Sequence, residues 1–373
     1  MDDADLTPAT LLQQGLEALK GLLGPSWTVT LMPERGAAAM VEVRAEGDSV
    51  LTQLLVDPML AVTPRAVEET LVPKVELLRQ LNHYTNLMVM APWISTKAQQ
   101  LLRQHNIGYL DLTGNVSLRV SRPAIVVYTE GALQAPRALA AQQSKTTLGG
   151  PKAGRLVRLL VDARPPYRAS ELANASTLSL AYVSRLLGTL EDQLLIRREG
   201  RTITDVDWRN LLRERAAQAS LLRPGTYIGM IAPNGIPTVL NRIKTLPPNL
   251  VDSMAVTGSY VARQIAPVAA GGQLMLYVAP WARTDDFADD LGLLPVPENA
   301  DVLLIQAPDQ AVFARTVAVD GVPQVGLSQL VLDCLSGPGR MPAEGEAVLE
   351  YMSAHEGEWR AFSISDLRQR LRP

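Results

Sequence analysis

The chain has one cysteine, Cys334, in 373 residues. A lone thiol closes no internal disulfide, so no disulfide framework holds this fold, and Cys334 reads as a small buried apolar residue. Histidine is nearly as scarce. His83, His105 and His355 lie far apart, without ligand spacing to one another or to Cys334, so a metal site built on His or Cys is not expected. No run of about 18 apolar residues occurs, which argues against a membrane span. The opening MDDADLTPAT is acidic and polar, unlike the basic and then apolar start of a secretory signal. Cytoplasm is therefore the expected location. No internal repeat is visible.

What is present is an ordinary globular composition, 47% hydrophobic and 20% charged, in a chain long enough for two or three domains. The N-terminal part predicts an amphipathic helix from Pro8 to Leu23, then strand-like runs at SWTVTLM, AAAMVEVRA and VLTQLLVDPML. A helix from Pro64 to Asn82, an apolar strand at Leu87–Ala91 and a helix from the cap Ser95 to Gln104 follow, and then strands GYLDL, VSLRV and AIVVYT. Residues 131–150 read as a linker. After Pro224 the pattern returns to strands and helices at TYIGMI, PTVLNRIKTL, SMAVTG, YVARQIA and LMLYVA, a helix near Asp285–Leu291, then DVLLIQ and VFARTV. Helices at Gly326–Ser336 and Ala343–His355 follow. Helices interleaved with strands predict an α/β multidomain protein.

The middle of the chain carries the strongest pattern. PKAGRLVRLLVDAR has a helical apolar stripe at Leu156, Leu159, Leu160 and Val161, and Pro165-Pro166 end it. RASELANA predicts a second short helix. Ser179 is a good N-cap for a third, SLAYVSRLLGTLEDQ. There Val183, Leu186, Leu187 and Leu190 form the inward stripe, which turns Tyr182, Ser184 and Arg185 outward. LLIRREGRTITDV alternates about Glu199-Gly200 and predicts a hairpin bearing Arg197, Arg198 and Arg201. Three helices and a hairpin in this order read as a winged helix-turn-helix. Residues 151–223 hold 13 Lys+Arg against 8 Asp+Glu, a net of +5, whereas residues 1–150 carry −2 and residues 224–373 carry −6. A basic module between acidic neighbours suits a polyanion such as duplex DNA. The candidate contacts are Lys152, Arg168, Ser179, Tyr182, Ser184, Arg185, Arg197, Arg198 and Arg201. A winged helix used only to hold another protein remains the alternative.

Three other segments could carry chemistry. Glu42 and Asp57 stand on neighbouring strands, as the acids of a restriction-endonuclease-type site do. Met59 occupies the position where a D-x-K lysine would stand, and no nearby lysine replaces it. Pro58 also suggests an edge or bulged strand. A nuclease-like fold without catalysis is the expectation. Asp111, Thr113 and Asn115 in DLTGN form either a tight turn between core strands or a polar cluster at a cleft. TGSYVA at Thr257–Ala262 resembles the strand, Gly-Ser turn and helix that open nucleotidyltransferase sites. The strand that should bear paired acids, LMLYVAP, has none.

From about Gly108 onward the chain resembles the AbiEi family of bacterial antitoxin-like (type IV) winged-helix transcriptional regulators. GYLDLTGN, TLGGPKAGRLVRLLVD, VSRLLGTLEDQLLIRREG, VDW, AVTGSYVA and GLSQLVLDCLSGPGRMPAEGEAVLEYM carry the resemblance. It implies a winged helix for operator DNA and a C-terminal domain related to nucleotidyltransferases but lacking their acids. The departure from the pattern is the additional N-terminal α/β region ahead of the winged helix. The expected organisation is a degenerate nuclease-like domain over residues 1–140, a winged helix-turn-helix over 141–223 and a degenerate nucleotidyltransferase-like α/β domain over 224–373. The expected function is a non-catalytic, sequence-specific DNA-binding regulator, without cofactor or metal, acting on double-stranded DNA as a homodimer and away from membranes. A DNA nuclease targeted by the winged helix, and an antitoxin or scaffold working through a protein partner, are the alternatives.

Overall fold

The computed structural model describes residues 6–32, 39–47, 50–81, 85–136, 147–268 and 271–370. Half of the linker read at 131–150 (residues 137–146), and His83, fall outside them. The chain divides into two compact units, Met1–Lys145 with Glu191–Leu194, and Thr146–Leu190 with Leu195–Pro373. Both are mixed α/β and each is built on a seven-stranded sheet. The boundary read at 223/224 falls inside the second unit, where one apolar cluster runs from Leu148 to Leu367.

The first sheet keeps sequence order, β1 (Trp27–Leu31), β2 (Ala39–Ala45), β3 (Leu51–Pro58), β4 (Thr85–Ala91), β5 (Gly108–Asp111), β6 (Val116–Val120) and β7 (Ile125–Thr129). Pairing is antiparallel except at β3/β4 and β4/β5. Those two parallel steps need crossovers, and helices supply them. One is α2, which runs as Pro64–Ala66, a π-turn Val67–Leu71 and Val72–Leu81. The other is α3 (Thr96–Gln104), capped by Ser95 as expected. The alternation in β2 and β3 sends Val41, Val43, Leu54 and Val56 to one face, where they meet Leu12, Leu16 and Leu19 of α1 (Pro8–Leu23). Val67, Leu71, Ala98 and Leu102 cover the other face with Leu87, Val89 and Tyr109. A sheet covered on both sides explains why β4 is nearly uniformly apolar. Gly15 is where α1 comes closest, since a Cβ there would lie 2.4 Å from the Met90 sulfur. Pro58 ends β3, which lies between β2 and β4. The edge or bulge expected from that proline is therefore not found, because proline costs no ladder bond at the last residue of a strand.

In the second unit, α4 (Pro151–Asp162), β8 (Tyr167–Arg168), α5 (Ala169–Ser176), α6 (Leu180–Asp192), β9 (Ile196–Glu199) and β10 (Thr202–Val206) follow one another, with a three-stranded antiparallel sheet ordered β8-β10-β9. Leu156, Leu160, Leu172, Val183, Leu186, Leu187 and Leu190 are buried between the three helices. α7 (Trp208–Ala217) leads on to α8 (Ile236–Ile243), α9 (Pro248–Val251), α10 (Ser259–Ile265), α11 (Thr284–Leu291), α12 (Leu327–Leu335), α13 (Met341–Ala354), α14 (Glu356–Trp359) and α15 (Ile364–Arg370). The strands β11 (Tyr227–Ile231), β12 (Met254–Thr257), β13 (Leu274–Val278), β14 (Leu294–Pro295), β15 (Val302–Gln306), β16 (Val317–Val319) and β17 (Val322–Gln324) form a sheet ordered β14-β11-β15-β13-β12-β17-β16. VFARTV is not one strand. A 3₁₀ turn at Gln310–Phe313 precedes β16, because Asp309 caps the turn by accepting from the Ala311 N–H.

Polar contacts bind α4 into this unit. Arg158 is buried, donating to the Gln329 side chain at 2.7 Å and the Ala314 carbonyl at 2.8 Å, with Nε 3.4 Å from Asp162. Asp162 in turn accepts from Ser328. At the end of α4, where helical carbonyls lack intrahelical partners, Arg360 donates to the Val161 and Leu160 carbonyls and the Ala361 N–H to that of Asp162. Further along, Arg213 pairs with Glu346 at 2.7 Å, and Trp208 meets Trp359 edge to face at 5.1 Å.

Removing a buried guanidinium leaves a carboxylate and two acceptors without their partner. Arg158→Ala is therefore expected to cost roughly 3–5 kcal/mol of unfolding free energy. Arg155→Ala, whose partner Asp309 sits nearer solvent, should cost about 1 kcal/mol. Urea denaturation measures both, and equal small losses would show that the Arg158 cluster does not anchor α4.

Candidate nucleic-acid interface

The nine candidate residues sit on four local elements, and the structure sorts them. Lys152 is exposed in the first turn of α4. Arg168 is exposed at the entrance to α5, and its N–H donates to the Glu171 carboxylate at 2.6 Å, so its backbone is held by the acid three residues on. Ser179 is exposed, and its Oγ accepts from the Tyr182 N–H at 3.3 Å, the N-cap contact that the sequence suggested.

On α6 the outward face is more sharply defined than expected. Ser184 and Arg185 are exposed, but Tyr182 is half-buried and packs against the core. Burial pushes its phenol up, opposed by the charges of Arg215 and Arg185. One residue before buried Val183 is only about 100° round the helix from it, so a large ring there folds against the core instead of pointing away. The exposed row is Ala181, Ser184 and Arg185, with Gly188 following at the same spacing. Ala181 and Gly188 were not singled out from the sequence, although a spacing of i, i+3, i+4, i+7 gave the signal. Two small residues flanking Arg185 leave the helix backbone open to close approach by a partner.

In the hairpin the three arginines do not share one face. Arg197 is exposed and lies opposite Asp205, while Arg198 lies opposite buried Ile203 and is half-buried. Successive residues of a strand point to opposite sides, so adjacent arginines must separate. Arg201 is exposed at the tip, beside Gly200, whose φ of +62° makes the two-residue turn possible. Arg168, Arg185, Arg197, Arg201 and Lys152 are the exposed cations of the set.

The other candidate sites resolve differently. Asp111 and Asn115 are buried. Asp111 accepts from the backbone N–H groups of Ile94, Thr113 and Asn115, from the Thr113 hydroxyl and from the Asn115 amide, all within 2.7–3.1 Å. Asn115 also accepts from the Gly131 N–H at 2.8 Å. The cluster is a hydrogen-bonded turn whose acceptors are occupied. In TGSYVA, Gly258 at φ +71° makes the turn, and the polar groups point inward. Thr257 donates to Asp333 at 2.6 Å and Ser259 to Glu344. Tyr277 and Gln329 also donate to Asp333, yet burial still lifts its carboxyl to about 6.

Glu42 and Asp57 share a sheet face, because Glu42 lies opposite Gln53 and Asp57 is four residues further along β3. At about 3.3 Å per residue that separates them by about 13 Å. The expectation that no lysine stands near Asp57 is overturned. Lys74 of α2 donates to its carboxylate at 2.6 Å. A spacing of 17 residues, through a turn and a helix, hides that pair from any local motif.

No family model matches this chain, and no curated protein matches it. Among solved structures, EndoMS in its apo form matches 30% of this chain and 48% of its own, about half its length, at 19% identity and a TM-score of 0.21. So low a score establishes no shared fold. Among the described residues no helix is long and apolar enough to cross a membrane.

Asp111→Ala should unfold the protein more easily, by on the order of 3 kcal/mol, since two buried N–H groups and the half-buried one of Thr113 lose their acceptor. Asp111→Asn, which keeps an acceptor oxygen, should lose less. Equal losses in denaturant titration would contradict the network described.

Proposed function

We propose that the chain is a non-catalytic, sequence-specific DNA-binding regulator. In this reading α4 to β10 form a winged helix-turn-helix, α6 is the recognition helix, and β9 and β10 are the wing. The carrying observation is the exposed row Ala181, Ser184 and Arg185 on a helix whose opposite side is buried, with Arg168, Arg197 and Arg201 exposed on neighbouring elements. A helix with small residues about one arginine suits the major groove, where arginine reads guanine O6 and N7. The flanking cations suit phosphates. The resemblance to AbiEi-like antitoxin-like regulators points the same way. It also extends to a degenerate nucleotidyltransferase-like fold for the C-terminal region, whose Thr257 and Ser259 are engaged by internal partners. The same reading makes the N-terminal unit a degenerate nuclease-like domain and places the protein in the cytoplasm. It binds a near-palindromic operator as a homodimer, the commonest symmetric assembly. A protein partner, as for an antitoxin, is compatible with it.

Capture of genomic fragments by the purified protein, followed by sequencing, should return one motif with two half-sites. On that motif Arg185→Ala should lose roughly 1–3 kcal/mol while binding to random duplex changes less. Neutralising Arg197 and Arg201 should weaken both equally and flatten the salt dependence. Equal loss on motif and random duplex for Arg185→Ala, an unchanged salt slope for the wing variant, or a monomer by light scattering with and without DNA would each remove one part of the proposal.

The Lys74–Asp57 pair gives the nuclease alternative its one specific support, since it restores an acid and a lysine to one place. Glu42, however, lies along the sheet from that pair, and a two-acid site needs both carboxylates on one ion. Plasmid incubated with the protein and Mg²⁺ or Mn²⁺ should stay supercoiled, and Asp57→Asn should bind DNA like the parent. Nicking that disappears in both Asp57→Asn and Lys74→Ala would establish the enzyme.

A further inference from the structure

A pocket of about 290 Å³ lies within the second unit, between one face of α4 and the carboxyl ends of the parallel pair β13 and β15. Crevices beyond the carboxyl ends of sheet strands are where α/β folds bind ligands. Gly154, Arg155 and Arg158 of α4 form one wall. Both of those arginines are engaged, Arg155 by Asp309 in a bidentate pair at 2.6–3.0 Å and Arg158 as described above.

Arg215 and Arg223 at the pocket are different. Arg215 is half-buried and donates to the Leu148 carbonyl. Burial lowers its pKa first and the neighbouring Arg223 lowers it further, while Tyr182 acts in the other direction. Two guanidinium groups at one pocket, whose acids Asp309 and Asp333 are bonded to other partners, form an electrostatic vacancy for an anion. Arg223 is also held in place. It begins a turn, Arg223-Pro224-Gly225-Thr226, with proline second, Gly225 third at φ +79°, and the Thr226 N–H donating back to the Arg223 carbonyl at 3.0 Å, the geometry of a type II turn. Gly154 leaves room for the other arginine, since a Cβ there would lie 3.1 Å from the Arg215 guanidinium. Ile305, Val312 and Leu332 add apolar lining. Asp333, which also lines the pocket, is already engaged by Thr257, Tyr277 and Gln329.

We propose that this pocket binds a small organic anion, its phosphate or carboxylate held by Arg215 and Arg223 and its apolar body against Ile305, Val312 and Leu332. α4, which walls the pocket, and α6 pack into one apolar cluster against which Tyr182 also lies, so an anion there is also placed to change how α6 presents Arg185. The binding site rests on the pocket alone, while its effect on DNA rests on the reading of α6 as a recognition helix.

Isothermal titration of the full-length protein at constant ionic strength tests the site, with phenyl phosphate, inorganic phosphate and benzyl alcohol as probes. Phenyl phosphate should bind saturably and about tenfold more tightly than inorganic phosphate, and benzyl alcohol should give no saturable heat. Arg223→Gln should weaken phenyl phosphate by about tenfold or more, the size of one lost charge-assisted contact. Arg223 is exposed, so this variant tests the site without disturbing the Leu148 contact that Arg215→Gln would also remove. Arg283→Gln, an exposed control outside the pocket, should leave binding unchanged. No saturable heat with phenyl phosphate, or full affinity in Arg223→Gln, overturns the site. In a second arm, saturating phenyl phosphate should change affinity for the captured DNA motif by about fivefold or more. Binding with no change in DNA affinity overturns the coupling and leaves the site standing. Ligand binding by a protein that captures no DNA motif would instead refute the DNA-binding reading.

Discussion

Arg158 is a guanidinium taken out of water in the middle of α4, where the Ala314 carbonyl, the Gln329 side-chain amide and Asp162 surround it. An ion so placed contributes little to stability when complete, but breaking its set of partners is costly. Its effect is therefore on position. α4 buries Leu156, Leu160 and Val161 in the shared apolar cluster and directs Arg158 and Asp162 to Gln329 and Ser328 of α12 and to the Ala314 carbonyl. Arg360 closes the helix by occupying its last free carbonyls from 199 and 200 residues away. The orientation of α6 and the β9–β10 hairpin within this unit follows from that attachment, because both pack on α4 through one shared apolar cluster.

The same attachment creates the arginine-lined pocket. Arg155 and Arg158, engaged by the C-terminal region, stand one and four residues along α4 from Gly154, beside which Arg215 lies. A cation with an acid partner builds structure, and one without keeps its field for something else. The module's charge divides along this line. Arg155, Arg158 and Arg213 are consumed by ion pairs within the unit, whereas Arg168, Arg185, Arg197 and Arg201 are exposed. A net charge of +5 over residues 151–223 thus overstates how many cations a polyanion would meet, and identifies the region without identifying the contacts.

Local signals were readable wherever the physics is local. Ser95 and Ser179 accept from backbone N–H groups of the helices that follow them, since an N-cap oxygen serves an N–H only two or three residues on. Gly200 marks the hairpin because a tight turn needs positive φ. The α6 core stripe emerged because burial repeats with the helical period. The uncertainty over DLTGN arose because its decisive partners, Ile94 and Gly131, are remote in sequence. Lys74 on Asp57 was invisible for the same reason. Tyr182 and Arg198 were placed outward because the pattern tracks apolar stripes and does not show how far a long side chain folds back.

By itself the sequence determined the mixed α/β character, the order of the elements, and a basic central module with three helices and a hairpin. All of these depend on period, capping and composition within about a dozen residues. Only the tertiary structure decided which arginines are exposed, which acids are already bonded, and that Arg215 and Arg223 line a pocket whose acids, Asp309 and Asp333, are engaged by other partners. Those outcomes depend on charges brought together across more than 100 residues of chain, as with Arg155 and Asp309. In a low-dielectric interior, such meetings determine whether a charged side chain is spent on folding or remains available to a ligand.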